Sequence, residues 1–579
     1  MPDWSYRTVL RPLLLSLGAE RARRLATATL STLSRLPFGA AAIDFLGHMR
    51  ADERLRTRLG GIELPGPIVL GSMIDPSGKA VDAFARFGIG LIEVGPVVES
   101  GQGNNLVPEW RVDLEKRAIE GSGAITAGVD EVAKNLEARG SDTPICVRIG
   151  TDDPASITRI IERLQPHAAM FRVGEKLQGI DNGVWLSGDA DTGRIASLRG
   201  TLGNDAWIVA GGVTEPEDAR RLLDAGANAA VVDAGLVVSG PGLIKRCNEA
   251  LLSRLPAPAK PEPLTMDAAR RAWFWALLLG VSMFAGGLLA IVIASTRVVL
   301  PYDESLAGMT RADLSRLNPR LLAFMAHDRA SLAGTMLSIG IFYSALAWSG
   351  IRRGAHWAQM TVIASATAGF LSFFFFLGFG YFDPFHAFVT AILTQFTLLC
   401  LVLPSSPPQA PVPEWRESAA WRRGQWGQLL FILIGAVLTG AGLTIAAIGC
   451  TSVFVETDLE FMRATREQLH HSYETLVPLV AHDRASLGGM LIANGIAVWL
   501  SAQWGFRAGA RWLWVALAWG GNLAFACATA VHIVVGYHSP LHLAPAMAGW
   551  LAWNVALLLT RGWLARPTNG PPSTTRHGE

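Results

Sequence analysis

The sequence predicts a shortened α/β barrel of TIM type, followed by an all-α polytopic membrane domain made of two four-helix copies. Short apolar strands alternate with helices between residues 67 and 232, the pattern of a parallel sheet covered by helices. From Ala272 onward the chain carries apolar runs long enough to cross a bilayer. The heptapeptide Ala326-His327-Asp328-Arg329-Ala330-Ser331-Leu332 recurs unchanged at Ala481-His482-Asp483-Arg484-Ala485-Ser486-Leu487. Such an identity does not arise by chance in one chain, so the second half reads as a duplication.

The 579 residues suffice for roughly three or four folding units. A net charge of +2 gives no reason to expect nucleic acid as a partner. Cys146, Cys247, Cys400, Cys450 and Cys527 form no CxxC pair, which argues against a disulfide framework or a zinc site. The N-terminus lacks an apolar core followed by a small-residue cleavage site, so no signal peptide is expected.

Residues 1–45 read as amphipathic helices with basic flanks. Leu10, Leu13, Leu14, Leu15 and Leu17 give an apolar face too short to span a bilayer. This face either lies in the membrane interface or packs on the next domain. The barrel occupies residues 46–254, with strands at 67–70, 91–94, 145–149, 169–173, 207–210 and 229–232. Six strands are visible where a closed barrel has eight. Gly211-Gly212, Gly235 and Gly240-Pro241-Gly242 follow the last two strands, where loops of this fold can hold a phosphate on backbone N–H groups. The alternative is a plain tight turn.

Motifs then accumulate in a particular order. Leu10-Arg11-Pro12-Leu13-Leu14 is followed by Glu20-Arg21-Ala22, Ser77-Gly78-Lys79-Ala80-Val81-Asp82, Glu93-Val94-Gly95 and Gln102-Gly103-Asn104. Leu186-Ser187-Gly188, Ala210-Gly211-Gly212-Val213, Glu217-Asp218-Ala219 and Ala225-Gly226-Ala227 complete the series. In these motifs residues 5–250 resemble the class 2, membrane-associated, quinone-linked dihydroorotate dehydrogenases. The resemblance implies FMN bound by Gly71, Ser72, Gly211, Gly212 and Gly235. It also implies oxidation of dihydroorotate to orotate in pyrimidine biosynthesis, with quinone reached through the N-terminal helices.

The chain departs from that family where the chemistry is done. Pro76 stands in place of the lysine near the flavin, and Pro96 in place of a threonine. Ile125-Thr126, near Gly123, replaces the paired asparagines that hold orotate, and Asp233-Ala234-Gly235 replaces Tyr-Thr-Gly. Between Val173 and Trp207 the family's long loop with its serine base, and its lysine and asparagine strands, have no room. Dihydroorotate oxidation needs a base within reach of the C5 proton while hydride leaves C6. A cation or donor must also stabilise the reduced flavin. Lys176 or Asp181 could be recruited, but no catalytic residue is assigned. The preferred reading is a barrel of dehydrogenase descent that has lost the orotate chemistry. The alternatives are a ligand-binding or sensory barrel on a membrane anchor, and a membrane redox or transport unit.

A proline-rich linker (255–271) leads to the first membrane copy (272–403), a second linker (404–428), the second copy (429–563) and a disordered tail (564–579). Apolar segments lie near 272–295, 330–349, 358–379, 386–403, 429–448, 485–504, 513–535 and 541–560. Four helices per copy insert both copies the same way round. Arginines at every second loop, among them Arg270-Arg271, Arg352-Arg353 and Arg422-Arg423, assign those loops to the cytoplasm. The expectation is a multi-pass inner-membrane protein with the barrel and both termini cytoplasmic.

A second motif, Gly380-Tyr381, Pro384 and His386, is answered by Gly536-Tyr537, Pro540 and His542. Both motifs are then expected on the outer face. In one reading Asp328 and Asp483 cap helix N-termini, Arg329 and Arg484 snorkel to headgroups, and small residues such as Gly340 and Gly495 allow close packing. In the other, His327 with His386, and His482 with His542, give each copy two imidazoles and a carboxylate. Such a set could bind a metal, a haem or a quinone head group, or relay protons. His532 and His538 are unmatched in the first copy and read as local.

Overall fold

The computed structural model describes residues 3–566 apart from 48, 50, 101–108, 123–124, 254, 256–265, 374–383, 408–411 and 473–474. Gln102-Gly103-Asn104, Gly123, Gly380-Tyr381, parts of both linkers and almost all of the tail therefore lie outside the described residues. The chain forms two compact units. One is Met1–Ala257 with Ala410–Gln425, and the other is Pro258–Gln409 with Trp426–Pro567.

In the first unit eight strands close a ring: β1 Ile68–Leu70, β2 Leu91–Val98, β3 Ile145–Ile149, β4 Met170–Val173, β5 Lys176–Gln178, β6 Gly183–Leu186, β7 Trp207–Ala210 and β8 Ala229–Val232. β1 pairs in parallel with both β8 and β2, which seals it. The barrel is thus complete in strand number, and β5 and β6 are the two that the sequence reading lacked. β5 runs antiparallel to both β4 and β6, so a hairpin stands where helix-bearing units would be. Gly174 and Gly179, at φ +59° and +76°, make the flanking turns in a conformation that side chains resist. The barrel is shortened in helices only.

Ile68, Leu70, Ile92, Val94 and Val147 face outward into the main core, against helices such as Val129–Glu137, Pro154–Leu164 and Pro216–Asp224. The alternate residues Val69, Leu91, Cys146, Met170, Val209 and Val231 fill the barrel interior. Leu59 and Leu64, from the hairpin Thr57–Leu59 and Ile62–Leu64, join them. Full burial of each such aliphatic side chain contributes about 1.5–3 kcal/mol.

The N-terminal helices dock on the barrel: Tyr6 donates to the Val237 carbonyl at 2.5 Å and Arg11 to that of Val238 at 2.6 Å. Leu10, Leu13 and Leu17 remain exposed. Residues 404–428, expected as a linker, do more than connect. The carboxylate of Glu417 is buried among Arg7, Arg117 and Arg246, at 3.0 Å from the latter two. The Arg246 guanidinium lies 4.6 Å from the Trp421 ring centre. Three cations around one acid explain why Ala410–Gln425, within this stretch, belongs to the barrel unit.

The second unit is helical: α1 Ala272–Thr296, α2 Leu321–Ala345, α3 His356–Phe373, α4 Pro384–Val402, α5 Ala419–Cys450, α6 Leu476–Gly505, α7 Arg511–Val535 and α8 Pro540–Leu564. Among the described residues seven spans are long and apolar enough to cross a membrane, as in a multi-pass membrane protein. The remaining expected span, 358–379, is helical over α3, and its end lies outside the described residues.

Two boundaries differ from expectation. α2 and α6 begin at Leu321 and Leu476, well before residues 330 and 485, so both heptapeptides lie inside helices. Their N-caps, Arg320 and Thr475, make no side-chain capping bond. The helices meet through glycines: a Cβ on Gly280 of α1 would lie 2.5 Å from the Ser344 nitrogen, and one on Gly442 of α5 would lie 2.6 Å from the Gly488 carbonyl oxygen. In hydrocarbon such close contact replaces the hydrophobic drive available in water.

Candidate functional site

The alternation that buries Leu91, Cys146, Met170, Trp185, Val209 and Val231 in the barrel interior directs the residue two positions later into the same space, nearer the C-terminal mouth. Those residues are Glu93, Arg148, Arg172, Ser187, Gly211 and Asp233, and all six line a cavity of about 680 Å³. Glu93 and Arg172 are 3% and 4% exposed and form an ion pair. Arg172 also donates to the Ser187 hydroxyl and lies 4.9 Å from the Trp185 ring centre. The second Glu93 oxygen accepts the Ser72 N–H at 3.0 Å.

The Arg148 side chain has no hydrogen-bond or ion-pair partner among the described residues. Burial lowers its guanidinium below the ordinary value, with Glu93 opposing. Asp233 accepts the Ala234 N–H at 2.5 Å. Burial raises its carboxyl above the ordinary range; the Ala234 bond works against this, and Glu93 and Asp189 reinforce it.

No family model matches the chain. The Dihydroorotate dehydrogenase (quinone) of Deinococcus deserti is 36% identical over 147 residues, which are 25% of this chain and 41% of that protein. The protein of the same name from Shewanella denitrificans is 28% identical over 168 residues, 28% of this chain and 48% of its own. Its counterpart in Azoarcus sp. is 25% identical over 335 residues, covering 41% of this chain and 96% of that protein. The chain thus spans about half the length of the first two, at 41% and 48%. DHODH from Eimeria tenella in complex with ferulenol aligns with TM-score 0.35 and 16% identity, over 41% of this chain and 91% of that chain. The ligand-free type DHODH of that organism aligns at 0.32 and 17%, over 37% and 92%.

The N-terminal part of this chain is dihydroorotate dehydrogenase-like.

Within this dihydroorotate dehydrogenase-like barrel the sequence-derived residues separate. Ser72, Gly211 and Gly212 line the cavity, as do Pro76, Pro96 and Ile125, where the resemblance led us to expect other side chains. Gly71 and Gly235 are absent from the lining. A Cβ on Gly235 would lie 2.1 Å from the Val213 carbonyl oxygen, and one on Gly71 2.8 Å from the Asp233 Cβ. Both glycines are therefore required by contacts within the fold. Lys176 and Asp181 are exposed and do not line the cavity.

At the start of the helix Ala234–Ser239 the Asp233 carboxylate takes the Ala234 N–H, so that this one donor is not free for the phosphate of an FMN. Sequence reasoning gave Arg148 and Arg172 no role and named Glu93 only within a motif. Their signal was present: a charge at an alternate position of an otherwise apolar strand.

In the helical unit the two heptapeptides are joined to each other. Arg329 binds Asp483 at 2.8 Å and Asp303 at 2.8 Å. Arg484 binds Asp328 at 3.2 Å and Asp458 at 2.6 Å. Capping and snorkelling by these residues are corrected: inside a helix the carboxylates have no free N–H to cap, and each guanidinium reaches a carboxylate first.

The histidines are exchanged likewise. His327 gathers with His542 and His532, and His482 stacks on His386 at 5.2 Å between ring centres. Pairing within each copy, His327 with His386 and His482 with His542, is therefore corrected. α2 packs on α7, and this sets His327 beside His532. His532, read as local, is a member of the first cluster.

Proposed function

We propose that the barrel is a binding module of dihydroorotate dehydrogenase descent that takes a small anionic ligand at Arg148 and does not oxidise dihydroorotate. The observation that carries this is the charged inner layer: among the described residues the Arg148 side chain makes no hydrogen bond or ion pair, beside the satisfied Glu93–Arg172 pair. A guanidinium in a partly dehydrated cavity recognises carboxylate or phosphate. Neither Lys176 nor Asp181 reaches the cavity to serve as the base. The helical unit anchors the module in the membrane, and the arginine-rich loops support a cytoplasmic barrel.

The second reading keeps the relatives' activity, FMN-dependent oxidation of dihydroorotate with quinone as acceptor. The alignment over 96% of the Azoarcus protein favours it. Full-length protein purified in detergent separates the two. A colourless preparation that binds orotate, with binding lost in Arg148→Ala, supports the binding module. Flavin absorption bleached anaerobically by dihydroorotate and restored by a quinone overturns it.

A further inference from the structure

We propose that His327, His532 and His542 form a binding site for one first-row divalent transition ion, of which zinc is the representative. One ring nitrogen from each lies within 4.8 Å of the other two. His327 and His532 are each 4% exposed.

The hydrogen bonds of these rings dictate the assignment. His327 Nδ1 lies 2.9 Å from Asp328 Oδ1 and therefore carries the proton that it donates there. His532 Nδ1 lies 2.5 Å from the Ala528 carbonyl, which accepts only, so that nitrogen is protonated too. In the neutral rings both Nε2 atoms then present lone pairs, and they face each other at 3.0 Å. Two lone pairs at that distance in a buried site repel unless a cation lies between or beside them. Zinc–nitrogen bonds of 2.0–2.1 Å at a tetrahedral centre place ligand nitrogens roughly 3.3 Å apart, close to what is found.

A shared proton would satisfy two rings. The third imidazole distinguishes a metal, because His542 brings a ring nitrogen within 4.8 Å of the other two. Asp328 and the Ala528 carbonyl are the outer partners that orient metal-binding histidines and fix their tautomers. All-imidazole ligation suits zinc and copper and disfavours magnesium and calcium. Three protein ligands leave a fourth position open.

The matching pair, His482 and His386, is the internal control. By the spacing of 156 residues that relates His386 to His542, the position answering His532 is Phe376. The first copy thus lacks the third imidazole.

Full-length protein in detergent is stripped with a chelator, given zinc or cobalt(II), and desalted. One ion retained per chain, with the intense visible bands of tetrahedral cobalt, is expected. His532→Phe, which copies the first-copy residue, and His542→Ala lower the affinity by on the order of 100-fold, and Asp328→Asn by about 10–100-fold. His386→Ala retains the ion. Failure of the wild type to retain zinc or cobalt overturns the proposal. So does retention undiminished in both His532→Phe and His542→Ala. The cobalt spectrum of the wild type needs no variant and decides the matter if those two fail to fold.

Discussion

Arg329 of the first heptapeptide donates to Asp483 of the second at 2.8 Å, and Arg484 of the second returns the bond to Asp328 of the first at 3.2 Å. Each guanidinium also takes a backbone carbonyl, Val298 for Arg329 and Val453 for Arg484. The two identical stretches are thus the halves of one reciprocal lock. Charges within hydrocarbon-length helices persist only when paired, and here each cation has two carboxylates.

Breaking that lock from one side leaves a buried charge. Arg329→Ala should cost about 3–5 kcal/mol, read as a lowered midpoint of thermal unfolding in detergent. The double variant Arg329→Ala/Asp483→Ala should lose less than the sum of the single losses. Strict additivity would show that the pair is not coupled.

Glu417 sets an acid limit for the barrel unit. Burial would raise its carboxyl, but Arg246, Arg7 and Arg117 outweigh burial and hold it at about 2, against an ordinary 4.5. Because the folded value is depressed, its contribution is fully present above about pH 4.5 and disappears as pH falls toward 2. Glu417→Gln should therefore destabilise the protein at neutral pH and flatten the decline in this acid range. Intrinsic fluorescence during unfolding of the full chain measures both, and an unchanged acid decline counts against the assignment.

Arg148 and Arg172 lie in one layer but should respond differently. Arg172→Ala abandons Glu93 in the interior and should cost about 3–5 kcal/mol. Arg148→Ala breaks no hydrogen bond or ion pair among the described residues and should leave the unfolding midpoint nearly unchanged while weakening anion binding by roughly tenfold or more, the loss of one charge-assisted bond. Calorimetry with orotate or phosphate, beside thermal unfolding, separates the two effects. Equal destabilisation by both variants would refute the distinction.

Close helix packing can be tested at Gly442. A Cβ there would meet the Gly488 carbonyl oxygen at 2.6 Å and the Ile492 nitrogen at 2.7 Å, both rigid backbone atoms. Gly442→Leu should cost about 1–3 kcal/mol by overpacking, visible in detergent unfolding. Gly440→Leu, where a Cβ has open space, should be nearly silent.

Sequence determined what depends on pattern along the chain. Apolar runs in β1, β3 and β7 mark buried strands, long apolar stretches mark the helices, and the repeated heptapeptide marks matching places in two halves. β5 stayed hidden because only Leu177 of its three residues is buried, leaving no periodicity to read. Tertiary structure alone decided who meets whom. Glu417 reaches Arg7 and Arg246 across 410 and 171 residues, and His327 reaches His532 across 205. The membrane depth expected from the sequence favoured His386 as the partner of His327, but helix packing set His327 beside His532 and His542. The physical reason is that periodicity reports only which face of an element is buried, whereas partners are chosen by how those faces pack in three dimensions.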